Sequence, residues 1–202
     1  MAAPVSGERT EFQALVAAAS PREDGRSERL ARAVEGALEE RGAEVVFWSL
    51  ATRPVRACTG CGACSTTGEC PLGDAEWSEL EELLESVDAL FLAAPLYFSG
   101  PTAQLAAMLS RCQVFWSRRY ELSRTMPPER PAHLFVVGEG GDPFGSAPLE
   151  TIVTSSLNSA NLRVSEETTY RFVGAEYRLE RIPGIVGAAL EAAGFPPERE
   201  AR

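Results

Sequence analysis

The stretch Phe12-Gln-Ala-Leu-Val-Ala-Ala-Ala19, followed by the polar segment Ser20-Pro-Arg-Glu-Asp-Gly-Arg-Ser27, decides the fold of this chain. Its first part is a short apolar run that ends at a Ser-Pro pair, which is typical of a buried β-strand. A helix pattern begins near Arg26, with apolar residues on one face and Gly42 just beyond its end. A second strand, residues 44–50, follows directly. Such closely spaced elements predict a parallel pair of strands joined by a right-handed crossover.

The same alternation of strands and helices continues along the rest of the chain. Further strands are predicted at residues 88–94, 133–137 and about 163–172, and further helices at 74–87, 101–119, 147–160 and 183–193. We expect Asp74 to cap the helix that it precedes, and Pro101 to occupy the first position of its helix. Five strands that alternate with helices predict a doubly wound α/β sheet, which binds ligands at the carboxyl ends of its strands.

Length and composition indicate a single domain. We expect it to span residues 12–195, with flexible tails at 1–11 and 196–202. The formal net charge of −10 argues against nucleic acid or an anionic membrane surface as a partner. The first residues lack the pattern of a signal peptide, and the longest apolar run, 89–98, is too short to span a membrane. A cytoplasmic location is therefore expected.

Four of the five cysteines lie close together in the unusually long connection 51–73, after the second strand. They follow the spacing C-x2-C-x2-C-x5-C, as Cys58, Cys61, Cys64 and Cys70. Three thiolates at consecutive C-x2-C steps and a fourth nearby suit the corners of an iron–sulfur cubane. Zinc sites more often split into two distant pairs, and a reducing cytosol disfavours disulfides. Zinc ligands and unmetallated or redox-active thiols remain open alternatives.

Three other loops are expected at the edge of the sheet where the cysteine connection begins. The turn after the first strand places hydroxyls, arginines and a glycine at a helix N-terminus, as phosphate binding requires: Ser20, Arg22, Gly25, Arg26 and Ser27. The turn after the third strand offers aromatic surface and backbone amides to a flat ring: Pro95, Leu96, Tyr97, Phe98, Ser99 and Gly100. The loop after the fourth strand adds a glycine-rich wall: Gly138, Gly140, Gly141 and Asp142.

Each of these loops also has a simpler interpretation. The first can be an ordinary capped turn with surface arginines. In the second, Tyr97 and Phe98 can be core residues beneath a tight turn. The only histidine, His133, and the fifth cysteine, Cys112, are expected to be structural, because neither has a catalytic companion in the pattern.

With these motifs the chain resembles the flavodoxin-like NADPH-dependent FMN reductase family and, within it, the iron–sulfur flavoproteins. The resemblance covers nearly the whole chain and rests on the motifs at residues 20–27, 58–70 and 95–105. In the helix that the third motif begins, such proteins often have a lysine and an aspartate where this chain has Ala106 and Ser110. These two departures concern an ion pair or a subunit contact more than they concern flavin binding.

The resemblance implies a five-stranded parallel sheet in the order 2-1-3-4-5, with the cysteine-rich loop after strand 2. It implies that Ser20, Arg22 and Ser27 hold the phosphate of FMN, with residues 95–100 lining its ring and 138–142 closing over it. It also implies that the four cysteines bind a [4Fe–4S] cluster, that NAD(P)H is a possible substrate, and that the protein forms a homodimer or homotetramer.

The expected activity is that of an FMN-dependent oxidoreductase with no catalytic residue of its own, because the cofactor does the chemistry. Electrons would pass between FMN and the cluster or come from NAD(P)H, and the partner would be a protein such as ferredoxin or a small-molecule acceptor. One alternative is an NAD(P)H-dependent FMN or quinone reductase with zinc or structural cysteines. Another is a non-enzymatic electron carrier or redox sensor.

Overall fold

The structure is a computed structural model that describes residues 12–195. Its strands are β1 (Gln13–Ala18), β2 (Glu44–Ser49), β3 (Ala89–Pro95), β4 (Arg130–Gly138), β5 (Leu162–Arg163) and β6 (Thr169–Val173). Its helices are α1 (Arg26–Glu39), α2 (Cys64–Thr67), α3 (Ala75–Ser86), α4 (Ala103–Arg111), α5 (Gln113–Trp116), α6 (Ala147–Asn158) and α7 (Ile182–Ala192). A turn of π-helix, Ser117–Glu121, follows α5 directly.

The strands form one parallel sheet in the order β2-β1-β3-β4-β5, as predicted. The fifth strand predicted at 163–172 is instead two short strands: β5 pairs with the start of β4, and β6 pairs with its end. Between them the hydroxyl of Thr168 accepts from the N–H of Ser165, and the hydroxyl of Thr169 donates to the Ser165 carbonyl. These local hydrogen bonds compete with the strand ladder and interrupt it.

Helices cover both faces of the sheet. In β1, Leu15 and Ala17 face a core with residues of α3, α4 and α6, whereas Ala14, Val16 and Ala18 face a core with residues of α1 and α7. This alternation is the period of two along a strand that is buried on both sides. Because both faces are covered, the loops at the carboxyl edge are the places left for a ligand.

The long helix predicted from Pro101 to Arg119 differs from the structure at both ends. Thr102 is the N-cap of α4, and its hydroxyl accepts the N–H of Leu105 at 3.2 Å, so Pro101 lies outside the helix. At the other end, α4 stops at Arg111 and the chain continues through the short α5 and the π-helical turn. Single π-helical turns often occur at functional sites.

Asp74 is the N-cap residue of α3 as predicted, but its carboxylate makes no capping hydrogen bond. Its Oδ2 instead accepts the backbone N–H of Arg56 at 2.7 Å and Nη1 of Arg111 at 3.3 Å. Asp74 is buried, and these partners offset the cost of removing its charge from water. The residue thereby ties the connection 51–73 to the end of α4.

Two further expectations concern the membrane and the tails. Within residues 12–195, none of the helices combines the length and the apolar character that crossing a membrane requires. The segments 1–11 and 196–202, predicted to be flexible tails, lie outside the described residues.

Candidate functional site

The three predicted loops meet at one cavity of about 130 Å³ at the carboxyl edge of the sheet. Its lining consists of Ser20, Arg22, Arg26, Ser27, Pro95, Leu96, Tyr97, Val137, Gly138 and Glu139. Eight of these ten were predicted as binding residues, and they come from three separate parts of the chain. The cavity is therefore the first candidate site, here called the edge cavity.

The turn after β1 leaves the start of α1 open to an anion. The hydroxyl of Ser20 donates to the carbonyl of Arg22 at 2.9 Å and accepts its N–H at 3.1 Å, which folds the turn back. Gly25 is the N-cap of α1 and has no side chain that could accept a hydrogen bond from the helix. The interpretation of this turn as an ordinary capped turn is therefore wrong, because no side chain caps the helix. Gly25 does not line the edge cavity, but a Cβ there would lie 3.1 Å from Oγ of Ser20. The first amides of α1 thus have no side-chain acceptor at the N-cap position.

Arg26 is held at the edge cavity by two contacts. Its Nη1 donates to the carboxylate of Glu139, and its guanidinium lies 4.2 Å from the ring centroid of Tyr177. The hydroxyl of Tyr177 donates to the carbonyl of Arg26 at 2.7 Å. Glu139 lies within the loop 138–142 that was expected to close over the ring, but it was not named as a binding residue. The negative charge of the Glu139 carboxylate offsets the positive charge of Arg26 that would attract a phosphate.

The turn after β3 exposes its aromatic residues. Tyr97 and Gly100 exchange backbone hydrogen bonds at 3.0 and 2.8 Å, and the two residues between them have left-handed backbone, with φ of 49° at Phe98 and 59° at Ser99. Such conformations in non-glycine residues cost about 1–3 kcal/mol each and cluster at functional sites. Phe98 is 99 % exposed and Tyr97 is 42 % exposed, so the interpretation of this pair as buried core is wrong.

The loop after β4 is joined to the aromatic turn through Asp142. Its Oδ1 accepts the hydroxyl of Ser99 at 2.6 Å and the N–H of Phe144 at 2.9 Å. The hydrogen bond from Ser99 is the main cause that holds the pKa of the Asp142 carboxyl below its ordinary value. The predicted residues that do not line the edge cavity belong to these two loops or to the α1 cap: Gly25, Phe98, Ser99, Gly100, Gly140, Gly141 and Asp142.

The four clustered cysteines line a second cavity, of about 480 Å³, here called the cysteine cavity. Its walls are the loop 58–72 on one side and residues of α4, α5 and the π-helical turn on the other. The residues from the helical side are Ser110, Arg111, Gln113, Val114, Ser117 and Glu121. The cysteine cavity and the edge cavity have no lining residue in common.

Two hydrogen-bond donors lie close to sulfur atoms of the cysteine loop. The N–H of Gly60 lies 3.4 Å from Sγ of Cys58, and the hydroxyl of Ser117 lies 3.4 Å from Sγ of Cys64. Gly60 has φ of 68°, a left-handed backbone that favours glycine, so the sequence is suited to present this amide. Hydrogen bonds of this kind to cysteine sulfur adjust the affinity and potential of a bound metal group.

Two arginines hold the far side of the loop. Nε of Arg118 donates to the carbonyl of Gly68 at 2.7 Å, and Nη2 of Arg124 donates to the carbonyl of Thr67 at 2.6 Å. Arg118 also pairs with Glu81 and Glu85 of α3, so one guanidinium joins three parts of the fold. Gly68 ends α2 with φ of 72°, and a Cβ there would lie 2.5 Å from the Arg124 guanidinium carbon.

In the described part of the chain, the four thiols line one cavity without forming a preassembled site for a single metal ion. Among residues 12–195, no set of three histidine, cysteine or acidic side chains is gathered closely enough to hold a single metal ion. A tetrahedral zinc site needs its sulfurs about 2.3 Å from one point, whereas a cubane is bound at its separate corners. Four thiols that line one cavity supply enough sulfur ligands for either kind of group.

Helix α4 spans the distance between the two cavities. Thr102, at its start, donates its hydroxyl to the carbonyl of Ala19 at 2.9 Å, beside the edge cavity. Ser110 and Arg111, at its end, border the cysteine cavity. With 1.5 Å of rise per residue, Thr102 and Arg111 are about 13 Å apart along the helix axis. The cysteine connection begins at the carboxyl edge as expected, but its cavity lies away from that edge, along α4.

The remaining histidine and cysteine are buried, as expected. Burial lowers the pKa of His133 to about 4, and the ring stacks on Phe91 with 4.7 Å between centroids. Burial also raises the pKa of the Cys112 thiol to about 12, which keeps it protonated at neutral pH. Neither residue lines the edge cavity or the cysteine cavity.

Comparison with known proteins identifies the family. The family model described as NADPH-dependent FMN reductase matches residues 13–147, which include β1 to β4 and all three loops of the edge cavity. This chain belongs to the NADPH-dependent FMN reductase family. The family match ends at the start of α6, so β5, β6 and α7 lie beyond it.

Two relatives of this chain are named iron–sulfur flavoproteins. One, from Methanocaldococcus jannaschii, is 36 % identical over 92 residues, which cover 46 % of this chain and 47 % of the relative. Another, from Archaeoglobus fulgidus, is 37 % identical over 92 residues, which cover 46 % and 41 %. The chain thus spans less than half the length of these curated relatives.

A solved structure shares the fold of this member of the FMN reductase family. It is RosB with a bound intermediate, 8-demethyl-8-formylriboflavin-5'-phosphate, which superimposes with a TM-score of 0.67 at 14 % identity. The superposition covers 91 % of this chain and 79 % of RosB. At this identity the likeness concerns the flavodoxin-like fold alone.

Proposed function

We propose that this protein is an FMN-dependent oxidoreductase whose cysteine loop holds a [4Fe–4S] cluster. The observation that carries the proposal is the convergence of the predicted residues on two separate cavities, one at the carboxyl edge and one lined by four cysteines. Membership of the NADPH-dependent FMN reductase family supports FMN as the first cofactor. Relatives named iron–sulfur flavoproteins support the cluster as the second.

The edge cavity is suited to the phosphate end of FMN. Its volume of about 130 Å³ is below the roughly 300–1,000 Å³ of ordinary ligand pockets, so the ring must extend beyond it. The amides of α1 with Arg22 and Arg26 would hold the phosphate, and the exposed rings of Tyr97 and Phe98 on the neighbouring turn would offer stacking surface to the flavin ring. When bound, FMN supplies hydride and single-electron chemistry, and the protein orients it.

In the proposal, the cysteine cavity supplies four thiolates to the cluster. Cys58, Cys61, Cys64 and Cys70 are its ligands, while Gly60 and Ser117 donate to sulfur at 3.4 Å. The cluster exchanges one electron at a time, which complements a flavin that can accept two. NAD(P)H, ferredoxin or a small-molecule acceptor are the redox partners that this pairing would serve. A homodimer or homotetramer remains part of the proposal, because an adjoining subunit could bring the two sites closer than α4 does.

Cofactor content tests the proposal. Protein purified without oxygen should contain about one FMN and about four irons per chain. Cys61→Ser should lose the iron and keep the FMN, because the two cavities share no residue. Cys112→Ala is the matched control, since Cys112 is buried outside both cavities, and it should keep both cofactors. Zinc in place of iron would overturn the cluster and favour a reductase with structural cysteines, whereas iron without flavin would favour an electron carrier.

A further inference from the structure

Arg111 is a buried cation on the wall of the cysteine cavity. Its side chain is 1 % exposed, and the residue lines the cavity beside Ser110. Arginine stays protonated in proteins, so this site has a permanent positive charge away from bulk water. In such surroundings a charge acts on its neighbours more strongly than it would at the surface.

The guanidinium uses only part of its hydrogen-bonding capacity. Both of its hydrogen bonds start from Nη1, one to the carbonyl of Arg56 at 3.0 Å and one to Oδ2 of Asp74 at 3.3 Å. Nε is buried and has no acceptor among the described residues. The guanidinium carbon lies 4.8 Å from the ring centroid of Trp77, which offers a π-face but no lone pair. A buried donor without an acceptor is uncommon and calls for an explanation.

The counter-charge of Arg111 is not part of the cavity wall. Asp74 pairs with Arg111 but does not line the cysteine cavity. Burial alone would raise the pKa of the Asp74 carboxyl, but the amide of Arg56 and the charge of Arg111 hold that pKa below its ordinary value. Of the two charged members of the pair, Arg111 is the one that lines the cavity of the cysteines. Buried ion pairs contribute little net stability, so stability alone does not explain this one.

We propose that Arg111 stabilises the reduced state of the cluster that the four cysteines hold, and that Asp74 limits this effect. The inference rests on the proposed function, because it needs the cluster. On reduction, one electron from a low-potential one-electron donor enters the cluster and adds one negative charge; no bond breaks, and Arg111 keeps its proton. Net charge and hydrogen bonds near the sulfurs are among the factors that set cluster potentials. Arg111 accordingly favours the more negative state.

The two members of the pair should shift the cluster in opposite directions. The test is an anaerobic redox titration with dithionite as the electron donor, followed by the electron paramagnetic resonance signal of the reduced cluster. Arg111→Gln should make reduction at least tenfold less favourable, a fall of about 59 mV in midpoint potential for one electron. Asp74→Asn should raise the potential, because it leaves the charge of Arg111 uncompensated. Arg111→Lys keeps the positive charge, so its midpoint potential should differ from that of the unchanged protein by less than this tenfold change.

A surface arginine provides the matched control. Arg53 also pairs with an acidic residue, Glu79, but their side chains are 36 % and 52 % exposed. Arg53→Gln changes the net charge as Arg111→Gln does, and solvent and salt should screen its effect on the cluster. If Arg111→Gln does not fold because it leaves Asp74 unpaired, Asp74→Asn and the double variant Arg111→Gln/Asp74→Asn still test the inference. The double variant should have a potential below that of Asp74→Asn.

The possible results separate this inference from the proposed function. A full iron content with unchanged potentials in Arg111→Gln and Asp74→Asn would overturn the role of Arg111 and leave the cluster in place. Shifts of the two variants in the same direction would do so as well, since a merely structural pair has no reason to give opposite signs. Protein that binds FMN but no iron would overturn the cluster itself, and the iron analysis shows which of the two has failed.

Discussion

The backbone N–H of Cys58 donates to the hydroxyl oxygen of Ser110, with 3.0 Å between nitrogen and oxygen. The same hydroxyl donates to the carbonyl of Ala107 at 2.7 Å, which fixes its orientation. The first cysteine of the cluster motif is thereby attached to the end of α4. Ser110 lines the cysteine cavity, so this part of its wall offers the loop a neutral acceptor.

We predict that Ser110→Ala loosens the start of the cysteine loop. The substitution leaves the N–H of Cys58 without its acceptor, at a cost of about 1–3 kcal/mol if no water replaces it. Amide hydrogen exchange at Cys58 should become faster, and iron should be lost more readily to a chelator.

Thr66→Ala is the matched control for this change. Thr66 lies in the same loop but does not line the cysteine cavity, and its exposed hydroxyl donates to the carbonyl of Ala63 at 3.0 Å. That substitution should leave exchange at Cys58 and iron retention close to those of the unchanged protein. Equal iron loss in the two variants would show that Ser110 has no special part in holding the motif.

The sequence was sufficient to predict the edge cavity because the topology determines where its loops lie. Apolar runs identify the strands of a parallel sheet, and the loops after them then share one edge. This reasoning placed Ser20, Pro95 and Gly138 together although they are far apart in the chain. It could not find the ion pair of Arg26 with Glu139, because an exposed glutamate in a loop has no distinguishing pattern.

The position of the cysteine cavity could not be predicted in the same way. The cysteines were recognisable by their spacing, but their place in the fold depends on contacts between distant segments. Cys58 meets Ser110, 52 residues away, and Arg111 meets the carbonyl of Arg56, 55 residues away. Such pairings follow from how the long connection packs on α4, which local periodicity does not encode.

We predict that Arg22→Ala weakens FMN binding through the phosphate alone. A hydrogen bond to a charged group contributes about 1.5–3 kcal/mol, so the affinity for FMN should fall by roughly 10- to 150-fold. The affinity for riboflavin, which lacks the phosphate, should change little. Both affinities can be measured by quenching of flavin fluorescence.

Arg29→Ala is the control for this experiment, because Arg29 is exposed on α1 and does not line the edge cavity. It should bind FMN as the unchanged protein does. Equal losses for FMN and riboflavin in Arg22→Ala would contradict the assignment of the phosphate to this turn.

We predict that Glu139→Gln strengthens FMN binding. Glu139 lines the edge cavity and accepts from Arg26, so its charge both repels a phosphate and occupies an arginine. Its side chain is 84 % exposed, so the gain should be modest and should shrink as salt is added. Titration of FMN at low and high ionic strength measures both effects. Weaker binding in Glu139→Gln would indicate that the carboxylate instead holds Arg26 in its binding position.

We predict that His133 makes the fold less stable in mild acid. Burial lowers the pKa of His133 from about 6.5 to about 4. Between these two pH values the imidazole is therefore protonated in the unfolded chain and neutral in the folded protein. The stability present above pH 6.5 is lost as the pH falls towards 4. Between pH 7.5 and pH 5 this amounts to about 2 kcal/mol, at 1.36 kcal/mol for each pH unit below 6.5. His133→Phe should reduce the loss by that amount, because a phenyl ring can keep the stacking on Phe91 without a titrating group.

Chemical denaturation at the two pH values measures this difference in the free energy of unfolding. Tyr170→Phe is the matched control, since it removes the hydroxyl that lies 3.3 Å from Nδ1 of His133 and leaves the imidazole in place. Its pH dependence should follow that of the unchanged protein, because desolvation, and not this contact, causes the shift. If His133→Phe lost as much stability in acid as the unchanged protein, the buried imidazole would not be the group that takes up the proton.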